Sequence, residues 1–227
     1  MGELVNEFAW SVSRSRTFRD CRRQYYYDVH GMWNGWKVEA PERTRQLYVL
    51  SKIKTRAMWM GDLVHEAIKR FLLAMRRKEP LEPGVWRKST LELMRKDFAS
   101  SRSKTYWQPG KAKTCALFEH EFAIELSDEK WQETAGIVQD CLIAFEGSQA
   151  FKSIQKTDPR DWVSLEELIK FQLDGTLILG KMDLAYRTRE RRIRILDWKT
   201  GKDDSAPSAA VRGAPGTTSH PGVAEIG

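Results

Sequence analysis

Apolar residues recur at helical spacing over the N-terminal two thirds of the chain. The pattern is clearest in residues 58–77, MWMGDLVHEAIKRFLLAMRR, where five apolar side chains fall on one face of a helix. They are Val64, Ala67, Ile68, Phe71 and Met75. Similar patterns predict a helix capped by Ser13, one or two helices over 85–104 and another near 128–146. The segment GMWNGWKVEAPER, which follows the first of these helices, is predicted to be a loop.

The apolar pattern then changes to alternation, which is typical of strands. Three segments show it: VSLEELIKFQL, TLILGKMDLAYR and RIRILDWKT. The pair Asp174-Gly175 predicts a two-residue hairpin turn between the first two, and the polar stretch TRERR connects the last two. We therefore predict an α/β protein of the α+β kind, with helices packed on a small antiparallel β-meander.

The last part of the chain has a different composition. From Lys202 to Gly227 there is no Leu, Met, Phe, Tyr or Trp, and three prolines interrupt a run of small and polar residues. Such a segment buries too little apolar surface to fold, so we predict a disordered tail. The expected organisation is one folded domain over residues 1–201 and this tail over residues 202–227.

Charge is distributed unevenly along the 227 residues. Residues 1–113 hold 24 Lys and Arg against 12 Asp and Glu, whereas residues 114–227 hold 14 against 19. This asymmetry favours a polyanion-binding front half and a carboxylate-bearing back half, although solvated helix faces would give the same count. No apolar run approaches the roughly 18 residues that span a bilayer, and no secretory signal is evident. We expect a soluble cytoplasmic protein without a membrane partner.

The predicted strands bring acidic side chains together. Asp197 and Lys199 share one face of the last strand. If the TRERR connection is centred on Glu190, Asp183 lies opposite Asp197, and a two-residue turn at Asp174-Gly175 sets Glu166 opposite Asp183. Opposed carboxylates repel unless a cation lies between them, and carboxylate oxygens suit Mg²⁺ or Mn²⁺. A cation of this kind beside a lysine could polarise a phosphodiester and activate water.

Other interpretations of these residues stay open. The carboxylates could lie on a solvated face and form ordinary ion pairs with Lys199 and Lys181, and a slip of one residue in register would place them on opposite faces. Glu167 is a close rival of Glu166. His65 lies on the flank of the helix predicted over 58–77, where it could either face a site or be an ordinary surface residue.

Four sequence motifs resemble one family. The segments SVSRSRTFRDCRRQYYYDV, WMGDLVHEAI, GKMDLAYR and ILDWKTGK resemble, in this order, the signature motifs of RecB-like nucleases in the PD-(D/E)xK superfamily. The resemblance spans residues 11–202 and implies a restriction-endonuclease-like core. It also implies that His65, Asp183, Asp197 and the backbone carbonyl of Trp198 bind the metal, and that Lys199 is the catalytic lysine. Glu166 enters as a further ligand only through the strand geometry described above.

The resemblance implies a Mg²⁺- or Mn²⁺-dependent DNA nuclease of the exonuclease type, active in DNA repair or recombination. Its expected partners are DNA, as single strands or duplex ends, and a helicase subunit. Arginines of the first helix are expected to bind DNA, and Tyr25, Tyr26, Trp33 and Trp36 could stack on bases. Core packing is the alternative for these aromatics; it is the favoured interpretation of Tyr25 and stays open for the two tryptophans. These arginines are Arg14, Arg16, Arg19, Arg22 and Arg23. The alternatives are a catalytically inactive DNA-binding or scaffolding subunit and an RNA-directed enzyme of the same fold.

The chain departs from the family in two respects. Members of the family continue after the Asp-x-Lys-Thr-Gly motif with a helix, often bearing Gln-x-x-x-Tyr, and a further strand, whereas this chain enters the predicted tail after Lys202. A truncated or frame-shifted reading, with the core lacking its C-terminal helix and strand, is the hypothesis that explains this. Some relatives bind an iron-sulfur cluster through four cysteines, but only Cys21 has a counterpart here. We therefore predict no iron-sulfur cluster, and we expect Cys21 to be a small buried residue.

Overall fold

The computed structural model describes residues 5–79, 82, 84–200 and 223–226. The described α-helices are α1 (Val12–Asp20), α2 (Arg22–Tyr26), α3 (Glu42–Lys52), α4 (Arg56–Arg77), α5 (Val85–Arg102), α6 (Phe118–Glu121), α7 (Asp128–Gly147) and α8 (Gln149–Gln155). The strands are β1 (Trp162–Leu165), β2 (Leu168–Leu173), β3 (Thr176–Lys181), β4 (Leu184–Arg187), β5 (Ile193–Trp198) and β6 (Val223–Ile226). In this part of the chain, no helix combines the length and the apolar character needed to cross a bilayer. The mixture of helices and antiparallel sheets confirms the predicted α+β class.

The three longest helices lie where the periodicity predicts them. The helix predicted over 58–77 is α4, and those predicted over 85–104 and 128–146 are α5 and α7. The predicted elements do not include α3, because the predicted loop covers its start and no helix is predicted for the residues that follow. This helix carries two buried side chains, Tyr48 and Val49.

The N-terminal helix differs from its prediction. Its cap is Ser11 and not Ser13, and the Ser11 Oγ accepts a hydrogen bond from the Arg14 N–H at 3.2 Å. The helix stops at Cys21, whose extended backbone separates α1 from α2 and whose Sγ accepts from the Gln24 N–H at 3.4 Å. Cys21 is exposed, so the prediction that it is a buried apolar residue is wrong. A capping position leaves this side chain outside the packed face of either helix.

The chain forms two compact units, which we describe separately. The first comprises Met1–Arg56, Arg95–Leu126 and Leu168–Gly180. Its core contains Tyr48, Val49, Tyr106, Ala112 and Ala116, with Met32, Trp36, Ile53 and Trp107 packed against them. The hairpin of β2 and β3 also belongs to this unit except for Lys181, and Trp10 extends it through backbone hydrogen bonds to Leu177 and Leu179, each 2.8 Å long.

The second unit comprises Ala57–Met94, Ser127–Glu167 and Lys181–Gly227. It contains α4, α7, α8 and an antiparallel sheet with the strand order β1-β4-β5-β6. Six large aliphatic side chains of this unit are almost completely buried: Ile68, Leu72, Leu142, Ile154, Leu184 and Leu196. The Trp198 ring at the end of β5 packs edge-on against Phe145 of α7, with centroids 5.5 Å apart. This packing anchors the strand that carries the predicted Asp-x-Lys motif.

The strands form two sheets instead of the single predicted meander. The first predicted strand divides at Glu166 into β1 and β2, and the second divides after Lys181 into β3 and β4. The predicted register is nevertheless confirmed, since Leu165 pairs with Leu184 and Leu184 pairs with Leu196. The segments therefore align as the turns predict, while a bend in the hairpin separates the two sheets.

The predicted tail is described only at 223–226, where it forms β6. This strand pairs antiparallel with β5, so the prediction of disorder is wrong for these four residues and the sheet has a strand beyond the three predicted. The unpaired backbone groups at an open sheet edge favour such an addition. The remaining residues of the predicted tail lie outside the described part of the chain.

Candidate metal centre

Three predicted site residues of the second unit lie together: His65, Glu166 and Asp183. One ligand atom from each lies within 4.8 Å of the other two. The His65 Nδ1 is 2.9 Å from Glu166 Oε1 and 3.1 Å from Asp183 Oδ1. The two carboxylates are almost completely buried, whereas 26% of the His65 side chain is exposed. The group is therefore closed on its acidic side and open at the imidazole.

His65 reaches the group from α4. Two neighbouring positions on the helix, Val64 and Ile68, belong to its buried apolar stripe. A residue at the edge of such a stripe points along the boundary between the core and the solvent. The position of His65 on the flank of the helix thus brings its imidazole to the buried carboxylates without removing it from solvent.

Glu166 occupies the bend that divides the hairpin. Its backbone is left-handed, with φ of 51°, a conformation that costs a residue with a side chain roughly 1–2 kcal/mol. Its N–H donates to the carbonyls of both Met182 and Asp183, at 3.1 and 2.9 Å. The side chain of Glu166 is buried, whereas Glu167 is exposed. Of the two rival glutamates, Glu166 is the one that the structure places at the group.

Asp183 immediately precedes β4. Its Oδ2 accepts a hydrogen bond of 2.7 Å from the Trp198 N–H, while its Oδ1 faces His65. The pairing of Leu184 with Leu196, continued by one residue, sets Asp183 opposite Asp197 as predicted. Trp198 therefore contacts the group through its N–H, and the role of its carbonyl as a metal ligand stays a prediction.

Asp197 and Lys199 form a separate pair. The Lys199 Nζ lies 2.6 Å from Asp197 Oδ2, which agrees with the prediction that the two side chains share a face. Among the described residues, the group of potential ligands contains His65, Glu166 and Asp183 but not Asp197. The role of Asp197 as a ligand and that of Lys199 as the catalytic lysine stay predictions.

Lys181, predicted only as an ordinary ion-pair partner, contacts the group directly. Its Nζ is 2.5 Å from Glu166 Oε2. The signal in the sequence is its position two residues before Asp183, which places both side chains on one face if the strand is regular. The burial of the Glu166 carboxylate could not be inferred from the position of Lys181, because that burial depends on the bend in the backbone at Glu166.

Contacts within the group shift the pKa values of His65 and Glu166. Burial by itself lowers the pKa of His65, but hydrogen bonds to Asp183 and Glu166 outweigh it and raise this pKa to about 9. Burial raises the pKa of Glu166, but its hydrogen bonds to His65 and Lys181 outweigh this effect and lower the pKa to about 2. Without a metal, the protonated imidazole is therefore one positive charge beside the two carboxylates at neutral pH, and the Lys181 ammonium supplies a second.

The donor set fits a divalent cation. Buried carboxylates need a cation or strong donors nearby, and one oxygen from each already faces a common point beside the imidazole. Carboxylate oxygens suit Mg²⁺ and Mn²⁺, and the imidazole nitrogen favours a transition metal over Mg²⁺. A single ion at this point would replace the proton on His65 as the charge between the carboxylates.

The predicted DNA-binding arginines lie in α1 and α2 of the first unit. Two of them have partners within the unit, since Arg16 faces Asp20 at 3.7 Å and Arg14 donates to the Ala9 carbonyl at 3.1 Å. The other three, Arg19, Arg22 and Arg23, are exposed, and Arg23 lies against Tyr27. A carbonyl does not cancel the charge of Arg14, so four of the five arginines carry charge that no carboxylate in the described part of the chain balances.

Aromatic residues accompany these arginines. The Arg22 guanidinium lies 5.4 Å from the centre of the Phe18 ring, and Tyr26 is 57% exposed. Tyr25 is half-buried, and Trp36 packs against Tyr48 in the core of the unit. Tyr26 is therefore more accessible for stacking than the other predicted aromatics.

Comparisons with known proteins give one match. The model of a family described as the PD-(D/E)XK nuclease superfamily matches residues 9–217, which is most of the chain. No curated protein matches significantly, and no solved structure does either. Members of the matching superfamily are nucleases that use divalent metals. The match includes His65, Glu166 and Asp183, together with the pair of Asp197 and Lys199.

Proposed function

The chain belongs to the PD-(D/E)XK nuclease superfamily, and we propose that it is a divalent-metal-dependent deoxyribonuclease. Its reaction is hydrolysis of phosphodiester bonds, of the exonuclease type, in DNA repair or recombination. The observation that carries the proposal is the convergence of His65, Glu166 and Asp183 within 4.8 Å, with both carboxylates buried. A helicase subunit is the partner that we propose for this activity.

The metal-binding roles follow from the side chains. Glu166, Asp183 and a neutral His65 would hold the cation. Asp197 and the Trp198 carbonyl are proposed as additional ligands, since the register sets Asp197 next to Asp183. A divalent ion held there would polarise the phosphodiester and lower the pKa of water. The chain's own part is to fix the ligands and to exclude bulk water from the two carboxylates.

Lys199 is proposed as the catalytic lysine. Lys199 directly follows β5, whose last residue, Trp198, packs against Phe145, and the Lys199 side chain is 66% exposed. A phosphate that approaches this end of β5 meets the Lys199 ammonium, which can exchange Asp197 for the phosphate. A lysine in this position stabilises the negative charge that develops on the phosphate in the transition state.

DNA binding is assigned to the first unit. Arg19, Arg22 and Arg23 supply contacts to phosphates, which carry little sequence information, so we propose binding without sequence specificity. Tyr26, which is 57% exposed, offers its ring to unpaired bases. This combination favours single strands or frayed ends as the substrate.

The test is cleavage of end-labelled DNA by the purified chain. We expect degradation of single-stranded DNA with Mn²⁺ or Mg²⁺ and none with EDTA. Lys199→Ala should reduce the rate by about 100-fold or more, the usual effect of removing a group that stabilises transition-state charge. Lys170→Ala, which removes an exposed lysine of β2, is the matched control and should retain the wild-type rate.

The same assay separates the competing functions. Asp197 forms an ion pair with Lys199 and is not one of the three grouped ligands. This arrangement would suit an inactive DNA-binding or scaffolding subunit, because the predicted catalytic lysine is occupied. Binding of DNA without cleavage under any metal condition would favour that subunit and refute the nuclease. Cleavage of RNA in preference to DNA would instead favour an RNA-directed enzyme.

A further inference from the structure

Each buried carboxylate of the metal centre uses its two oxygens differently. One oxygen of each faces the His65 Nδ1, at 2.9 Å for Glu166 and 3.1 Å for Asp183. The other oxygen accepts a hydrogen bond from elsewhere in the unit. For Asp183 the donor is the Trp198 N–H at 2.7 Å, and for Glu166 it is the Lys181 Nζ at 2.5 Å.

These outward donors fix the direction of the inward oxygens. A carboxylate held at one oxygen loses the freedom to rotate about its last bond, so the other oxygen keeps a constant position. The Trp198 donor belongs to the backbone of a strand and is fixed by the sheet. Glu166 has no backbone donor at Oε2 among the described residues, and Lys181 supplies the missing constraint.

We propose that Lys181 is a positioning residue for the metal: its ammonium holds Glu166 Oε2 so that Oε1 is presented to the cation. The proposal rests on the metal-binding function proposed above. It gives the two lysines of the site different tasks. Lys181 acts through a carboxylate that is 2% exposed, whereas Lys199 pairs with a carboxylate that is 28% exposed and can exchange it for a phosphate.

The charge balance is consistent with this assignment. With His65 neutral, Glu166 and Asp183 match the charge of a divalent cation, and Lys199 matches Asp197. The Lys181 ammonium interacts with Asp62 as well as with Glu166, so its charge is balanced outside the cation. The Lys181 side chain is 57% exposed, so water screens its repulsion of the cation, while the hydrogen bond to Oε2 still orients Glu166.

The experiment measures metal binding without DNA. Mn²⁺ is titrated into the full chain by calorimetry at constant pH, for the wild type, Lys181→Met and Lys181→Arg. Methionine keeps a long unbranched side chain but removes the donor, whereas arginine keeps both donor and charge. We expect Lys181→Met to weaken Mn²⁺ binding by about 10-fold or more, as is usual when the outer partner of a ligand is lost, and Lys181→Arg to retain most of the affinity.

Two controls make the result specific. Lys170→Met removes an exposed lysine of β2 and should bind Mn²⁺ as the wild type does. In a Glu166→Ala background, Lys181→Met should cause no further loss, because its effect passes through Glu166. An additional loss in that background would contradict a positioning role. Circular dichroism on each variant verifies that the fold is retained, and Lys181→Arg keeps the test informative if Lys181→Met is unstable.

The outcomes separate this proposal from the nuclease function. If the wild type binds Mn²⁺ and Lys181→Met binds it equally well or more tightly, Lys181 is only a neighbouring charge and the positioning role is wrong. If the wild type itself does not bind Mn²⁺, the proposed nuclease function and the role of Lys181 are both refuted. Weaker binding by Lys181→Met, with Lys181→Arg and Lys170→Met near the wild type, supports the assignment.

Discussion

The stability of the metal-free protein should depend on the protonation of His65. Its pKa in the folded protein is about 9, against 6.5 when the residue is unperturbed. Since the folded pKa is raised, the protonated imidazole stabilises the fold fully below pH 6.5, and this contribution is lost as the pH rises through about 9. Glu166 acts in the opposite direction, because its pKa is lowered from 4.5 to about 2. Its contribution is present above pH 4.5 and lost as the pH falls through about 2. In EDTA, these two groups should give maximal stability between pH 4.5 and 6.5.

The size of the alkaline loss follows from the same values. A shift of one pKa unit corresponds to about 1.4 kcal/mol, so the rise from 6.5 to about 9 sets an upper limit of about 3 kcal/mol. The His65 side chain is 26% exposed, and water screens part of the interaction. We therefore expect the free energy of unfolding to fall by about 1–3 kcal/mol between pH 6.5 and 9.5. The hydrogen bond between His65 and Glu166 is shared, so its stabilisation is counted only once.

The assay is urea unfolding in EDTA at several pH values, followed by tryptophan fluorescence. His65→Gln removes the titration and keeps a polar side chain, so its stability should change less over the same alkaline range. Addition of Mn²⁺ to the wild type should abolish the alkaline loss, because the cation replaces the proton between the carboxylates. If the wild type and His65→Gln lose equal stability between pH 6.5 and 9.5, the imidazole is not held by Glu166 and Asp183 as described.

Three further predictions concern the first unit. Gly35→Ala should lower the melting temperature, because the added Cβ would overlap the Tyr48 side chain, and overpacking of this kind typically costs about 1–3 kcal/mol; an unchanged melting temperature would contradict the close packing. Ser101→Ala leaves the buried N–H of Leu117 without its 2.8 Å acceptor and should cost about 1–3 kcal/mol in urea unfolding; a loss much below this range would show that water replaces the hydroxyl. Exposed Cys21 should react with a thiol reagent in the native protein, and Cys21→Ser should remove the fast phase; a fast phase that persists would assign it to another thiol.

The elements that could be predicted are those specified by local patterns. The stripe of apolar residues in α4 predicts its position because burial requires a period of 3.6 residues. The register was predictable because Asp-Gly is a typical pair for a two-residue hairpin turn. Asp174 and Gly175 take the positive φ that such a turn requires, at 47° and 75°. That register in turn predicts the opposition of Glu166 and Asp183. The break at Cys21 and the left-handed backbone of Glu166 could not be predicted, since neither residue type favours these conformations.

The bend at Glu166 explains why the metal centre differs from a regular sheet. In an unbroken hairpin, the opposed carboxylates would lie on a broad face open to water. The left-handed residue instead ends β1, directs its N–H to two carbonyls and buries its carboxylate beside His65. Both the backbone conformation and the buried charge are unfavourable in isolation, at roughly 1–2 kcal/mol for the backbone alone. Hydrogen bonds from His65 and Lys181 offset the burial of the charge but do not explain the strained backbone. The cation proposed to lie between Glu166 and Asp183 would account for both features, because it would require a second carboxylate at this point and the bend supplies it.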